Sequence, residues 1–283
     1  CAQEERAAGP TTSSPTAPVT ESIASAPAEY VGSDACKGCH AEQFAAWQTS
    51  HHWYAMQPAE VGSVAEFDEA FVAHERTTRF ERTDGTVSMT TDDVPGSSAT
   101  FGVPYSFGVA PLQQFLIDAG DGKLQASIVA WDSRAQEEGG QRWFHLREDE
   151  LIRPDDVLHW TQPSSNWNFM CADCHSTGVR KGYDVESRSY QTTWEELTVG
   201  CEACHGPASA HVSAPADQLP EGLADQAGQV NACAPCHSRR SQLAEAFQPS
   251  TNFLDHYLPS LLEPELYHAD GQILDEVYVY GSF

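Results

Sequence analysis

The chain is short of methionine, of basic side chains and of long apolar runs. Three Met occur in 283 residues, at positions 56, 89 and 170. Lys and Arg number 15 against 41 Asp and Glu, a formal charge of −26. So acidic a surface repels nucleic acid and anionic lipid; it suits a basic partner, a cation-rich surface or a salty medium, or serves solubility alone. No run of 18 apolar residues occurs in the sequence, so no transmembrane helix is encoded in it. Residues 2–29 lack aromatics and carry only Val19 and Ile23 as larger aliphatics. That composition cannot bury a core and reads as a flexible tether. Residues 206–230 are similarly poor in aliphatics, so side chains alone give the surrounding segment little core.

Cysteine and histidine fill that gap. Cys36-Lys-Gly-Cys39-His40, Cys171-Ala-Asp-Cys174-His175, Cys201-Glu-Ala-Cys204-His205 and Cys233-Ala-Pro-Cys236-His237 are four copies of C-x-x-C-H, the attachment signal of c-type haem. Two thiols three positions apart each form a thioether with one porphyrin vinyl, and the following imidazole reaches the iron. Nine Cys and twelve His, shuffled, would give about 0.01 such motifs. The four copies use eight of the nine cysteines. Zinc ribbons also pair C-x-x-C units but need no His after each second Cys. Four covalently bound haem c groups are therefore expected. Cys36, Cys39, Cys171, Cys174, Cys201, Cys204, Cys233 and Cys236 supply the thioethers; His40, His175, His205 and His237 supply one axial ligand each.

The ninth cysteine is Cys1. A chain that begins with Cys looks like a bacterial lipoprotein after loss of its signal peptide, with lipid on Cys1. The expected location is the periplasmic or cell-surface face of a bacterial membrane, since c-type haem is attached outside the cytoplasm. Ala2 is compatible with sorting to the outer membrane.

Organisation follows from spacing. The first motif precedes the second by 135 residues, and the later intervals are 30 and 32. Phe44, Trp47 and His51 recur at helical spacing. Residues 78–82 and 87–90 flank Asp84-Gly85 as a hairpin. Residues 112–117 and 124–131 form a second pair, and 142–146 a further strand. The expected fold is a mainly irregular and α multihaem cytochrome c fold with an antiparallel β insertion between motifs 1 and 2. Its parts are a lipidated, flexible 1–29, a first haem segment at 30–60, a β-rich insertion at 61–150, and 151–283 carrying motifs 2 to 4 plus a C-terminal packing segment. The sequence ends at Val277-Tyr-Val-Tyr-Gly-Ser-Phe283, which reads like an interruption.

Four irons call for four distal ligands if all are six-coordinate. Met170 abuts Cys171 and Met89 sits mid-strand, so bis-His ligation is the economical answer and implies lower potentials than His/Met. His52 lies twelve residues after His40, about 18 Å along one helix. The two axial nitrogens of one iron are only about 4 Å apart. His52 is thus better placed to serve another haem, and His211, six after His205 with Pro207 between, invites the same argument. His145 and His159 complete the distal set. His268 is the reserve, His256 follows, and His74 reads as surface. Arg239 and Arg240 suit propionates or plain exposure.

The run from Tyr30 through Cys36, Trp47, Ser50 and His52 to Met56 resembles the multihaem cytochromes related to cytochrome c-554. Phe107-Gly-Val, Gly140-Gln-Arg-Trp-Phe-His145, Leu158-His159-Trp-Thr, Asn166-Trp-Asn-Phe-Met170-Cys and Cys201-Glu-Ala-Cys-His-Gly206-Pro resemble one branch, in which such a module often precedes tetratricopeptide repeats. The resemblance implies His52 rather than His51, makes His145, His159, His211 and His268 recurrent, and implies continuation into a further C-x-x-C-H beyond Phe283. The expected function is electron transfer by a carrier rather than an enzyme, between redox partner proteins. Two other readings stay open. One is an oxidoreductase with an open iron acting on a small nitrogen or sulfur compound, which the lack of a C-x-x-C-Lys motif weighs against. The other is a subunit of a homo-polymer or a larger membrane redox complex.

Overall fold

A computed structural model describes residues 28–67, 69–95, 98–216, 223, 225–245, 247–264, 267–270 and 272. Cys1, residues 2–27 of the expected tether at 2–29 and the ending at 273–283 lie outside the described residues.

The helix after the first motif, α1 (Ala41–Gln48), is shorter than its periodicity suggests. The Thr49 and Ser50 hydroxyls turn back onto the Ala46 and Trp47 carbonyls at 2.9 and 2.7 Å and end it before His51. Side-chain bonds of this kind compete with helix propagation. A 3₁₀ turn (Trp53–Ala55) then leads into β1 (Gln57–Pro58) and α2 (Ala59–Gly62).

Among the described residues ten strands run between the first and second motifs. β2 (Ala70–Ala73), β3 (Arg76–Thr83), β4 (Thr86–Thr91) and β5 (Ala99–Gly102) form an antiparallel meander. Its central turn is Asp84-Gly85, with φ of 52° and 83°, the double positive φ that Asp-Gly accommodates. β6 (Tyr105–Phe107), β7 (Leu112–Asp118), β8 (Leu124–Ala126), β9 (Val129–Asp132) and β10 (Arg142–His145) build the second sheet with β1, in the order β1-β6-β7-β9-β10, β8 also pairing with β7. The expected continuous strand over 124–131 is broken because the Ser127 hydroxyl bonds the Val129 backbone on both sides, at 2.8 and 3.1 Å.

The two sheets share one aromatic core. Phe80 stacks on Trp143 at 4.5 Å, and Phe115, Ile117, Val129, Trp131 and Trp160 are buried around them. Met89 belongs to this core rather than to an iron. A second cluster of Met56, Leu116, Trp167 and Ala172 joins the sheet to the second motif.

The rest is short and loop-rich. α3 (Trp167–Met170) leads into motif 2, whose last four residues form α4 (Ala172–His175), and β11 (Tyr183–Asp184) and β12 (Ser189–Tyr190) form a small hairpin. α5 (Cys201–His205) is motif 3, followed by α6 (Ser209–Ser213); α7 (Gln226–His237) ends in motif 4. β13 (Arg240–Gln242) pairs with β14 (Tyr257–Pro259), which follows α8 (Phe253–His256). Phe253 and Tyr257 pack inward, whereas Leu254, Leu258, Leu261 and Leu262 are exposed, so this segment packs less completely than its composition suggests.

Candidate metal centre

Four motif histidines define the site. His175, closing α4, places Nδ1 2.9 Å from the Ala55 carbonyl. A carbonyl only accepts, so Nδ1 carries the proton and Nε2 is left with its lone pair. Metal-ligating histidines are held in this way. Burial pushes the His175 pKa down against that bond. His205 and His237 are also lowered, first by burial and then by His40 and His52 respectively. Neutral imidazole is the form that binds a metal.

The His40 ring faces His211 at a centroid distance of 6.2 Å, and His237 faces His52 at 6.2 Å. Two iron–imidazole bonds of about 2 Å, plus about 1 Å from each nitrogen to its ring centre, set ring centres about 6 Å apart across one iron. Both gaps fit. In each pair one ring belongs to a C-x-x-C-H motif and the other does not.

Neither distal residue faces the motif it follows. His52 stands across from motif 4, and His211 from motif 1. The premise of one continuous helix from His40 to His52 fails, since α1 stops at Gln48. Thr198 holds the His52 turn, its hydroxyl 2.7 Å from the His52 carbonyl and 2.8 Å from that of Trp53.

His145 and His159 sit elsewhere, in the β-rich half. His145, at the end of β10, has Nδ1 2.9 Å from the Arg147 carbonyl, and its ring lies 5.4 Å from His74. His74 is thus a packed residue and not plain surface. His159 is fully buried, with Nε2 3.2 Å from Asp93 and Nδ1 2.8 Å from Thr161. His268 is exposed.

The eight motif cysteines form no disulfide among the described residues. Burial pushes Cys171 up to about 12; Cys36 rises to about 11, through burial first and then Cys201. Among the described residues no three His, Cys, Asp or Glu side chains converge on a metal-ion position, unlike the ligand set of a zinc ribbon.

Several supporting residues carry no sequence signal. Glu202, inside motif 3, is buried and accepts from the Val31, Gly32 and Ala208 amides at 2.7–3.1 Å. Glu196 accepts from the Ser33 hydroxyl at 2.7 Å, and Ser33 Oγ accepts from the Cys201 amide at 2.9 Å. Lys181 lies 3.2 Å from Asp173 inside motif 2. Arg240 is far from plainly exposed: it bonds the Pro235 carbonyl at 2.8 Å and lies 3.5 Å from Cys174 Sγ.

A model of cytochrome c7 and related cytochrome c matches residues 157–238, across motifs 2 to 4. A model of cytochrome c554 and c-prime matches residues 35–90, across motif 1. The chain is a multihaem c-type cytochrome. Its cofactor is covalently bound haem c. No curated protein matches the cytochrome. Among solved structures, the outer cell wall cytochrome OcwA shares its fold: TM-score 0.58, 18% identity, 89% of this chain and 50% of that one. The cytochrome therefore spans about half the length of that relative. An undecahaem S-layer cytochrome of Carboxydothermus ferrireducens aligns at TM-score 0.44 and 18% identity, over 82% of this chain and 30% of its own. Among the described residues no helix is long and apolar enough to cross a membrane.

Proposed function

We propose that the cytochrome is a tetrahaem electron carrier. All four motifs would be loaded, the motif-1 iron ligated by His40 and His211, the motif-4 iron by His237 and His52. The observation that carries this is the pair of equal 6.2 Å gaps, each between a motif ring and a non-motif ring. A separation of that size also lies within the ordinary range for aromatic pairs, so the identity of the partners decides: both motif rings face another imidazole. Haem supplies one-electron iron cycling; the chain supplies position and potential. Ligands on both axial faces leave those two irons closed to substrate, which favours a carrier over an enzyme. His145, His159 and, in reserve, His268 remain the candidates for the irons of motifs 2 and 3.

The same proposal makes the protein exported, with lipid on Cys1, and its redox partners basic. An oligomer or a larger redox complex is compatible with it.

Haem quantitation, with near-infrared magnetic circular dichroism of the oxidised protein, tests the core of this reading. Four covalent haems per chain, with bis-imidazole bands dominating and no acid-acetone extraction of pigment, are expected. Fewer haems, or a dominant His/Met band, would overturn it. Mass spectrometry of the amino terminus from membranes tests the lipid separately.

A further inference from the structure

We propose that the β-rich half holds a divalent transition-metal ion between His74 and His145, separate from any haem, with Asp93 beside it. The ion belongs to the class that prefers imidazole ligands, such as Zn²⁺ or Cu²⁺. This takes His145 out of the set of candidate iron ligands.

The two rings come from different elements. His74 stands in the turn between β2 and β3, and His145 closes β10. Their centres are 5.4 Å apart, with the planes crossed at 82°. With metal–nitrogen bonds of about 2 Å and about 1 Å more to each ring centre, that distance corresponds to a bent ligand–metal–ligand angle of roughly 115–130°. The two axial ligands of a haem oppose each other in line, whereas a bent pair suits the tetrahedral preference of zinc.

The turn that carries His74 is strained. Ala73 pairs with Arg76, so only His74 and Glu75 connect the strands, and both have positive φ, 49° and 62°. Asn-Gly is the favoured pair for such a turn. Backbone strain of this kind persists at ligand-holding positions, and here it sets an imidazole against His145.

His145 can offer one nitrogen. Its Nδ1 is occupied by the Arg147 main chain, 2.9 Å from the carbonyl and 3.1 Å from the amide, which leaves Nε2. An imidazole held by its other nitrogen is oriented for a metal. Asp93 supplies the charge. Like His145, it is more than nine-tenths buried. One of its carboxylate oxygens lies 3.2 Å from His159 Nε2, and the other is buried without a hydrogen-bond partner. The Trp160 indole donates to the Asp93 carbonyl at 3.1 Å and fixes the loop. An unsatisfied buried oxygen destabilises the fold; a metal-bound water would satisfy it. Two imidazoles are thus the direct protein ligands, and the site needs no third side chain on the ion.

His74, Asp93 and His145 line one cavity, together with Phe71, Val129 and Ile152. Its volume, about 20 Å³, accepts an ion or a water but no porphyrin. His145 also borders an open groove of about 540 Å³, which provides an entry path. The two arginines of that groove are paired with Asp132 and Glu148, so they do not bar a cation.

The test is equilibrium dialysis of the haem-loaded protein against Zn²⁺, with bound metal counted by elemental mass spectrometry. His74→Asn keeps the turn, since Asn tolerates positive φ, and should remove one zinc per chain. His145→Gln should do the same with the haem spin state unchanged. Asp93→Asn should weaken that zinc by about 10–100-fold, and His51→Ala, an exposed histidine, should leave it in place. Equal zinc in the unsubstituted protein and His74→Asn, or no zinc in the unsubstituted protein, would overturn the site. A new high-spin haem signal in His145→Gln would assign that residue to an iron and overturn it also. The number of covalent haems, read from the intact mass, is independent of all these outcomes.

Discussion

At the scale of single residues the sharpest consequences concern His52 and His211. Each faces a motif ring from a different motif, so removing each should open a different iron. His52→Ala should convert the motif-4 haem, and His211→Ala the motif-1 haem, from low to high spin. The change is expected as one new high-spin signal in electron paramagnetic resonance, with haem count unchanged. If either variant stays entirely low-spin, its residue is not the ligand. A second residue-scale prediction concerns pH. Burial raises the Glu196 carboxyl, against the Ser33 bonds that lower it. A carboxyl raised on folding binds more protons folded than unfolded, so stability falls as pH climbs from its unfolded value through its folded one. Glu196→Gln should flatten that slope, measured as thermal midpoint against pH from about 4 upward. A slope unchanged by the substitution would place it on another group. The motif residues could be read from spacing alone, because attachment chemistry dictates C-x-x-C-H. Glu202 could not: it occupies a variable position of that signature, and only the fold brings the Val31 and Gly32 amides to it.

Among elements, local rules carried the β-rich half well and the haem half poorly. Asp84-Gly85 and alternating burial along β4 mark a hairpin without further information. The end of α1 turned instead on two hydroxyls at Thr49 and Ser50, which weigh little in a periodicity. The short helices α4 and α5, of four and five residues, are too short to show an apolar stripe. A difference in stability between the halves follows. Phe115 is fully buried and touches Phe67, Phe80 and Trp143. Phe115→Ala should therefore cost about 3–5 kcal/mol, read from denaturant unfolding followed by far-ultraviolet circular dichroism, with the haem spectrum retained until strand signal is lost. The junction of motifs 2 and 4 offers a different test. Arg240 sits beside Cys174 and stacks on Tyr257. A cation near a haem favours the reduced iron, so Arg240→Gln should lower one midpoint potential by on the order of 50 mV, given Coulomb energies of about 1 kcal/mol at such range and 59 mV per tenfold for one electron. Potentiometric titration resolves this, and midpoints that all stay unmoved would show that Arg240 serves packing alone.

For the whole molecule the governing quantity is charge. The formal value of −26 is spread over 283 residues, and haem propionates add roughly two negative charges per group near neutral pH. Lys181 and Arg240, two of only 15 basic side chains, are drawn inward to Asp173, which leaves the surface still more acidic. Such a field concentrates cations and repels anions, and salt shortens its reach to about 10 Å at 0.1 M. Reduction of the oxidised protein by a cationic reagent should therefore slow as salt rises, while reduction by an anionic reagent of similar potential should quicken. Stopped-flow traces across about 0.01 to 0.5 M salt measure both slopes, spanning Debye lengths from about 30 Å to less than half of that at 0.1 M. Opposite signs would show that the acidic field governs approach to the haems, as a basic partner requires. Equal slopes would mean that the charge lies away from the haem edges and serves solubility alone.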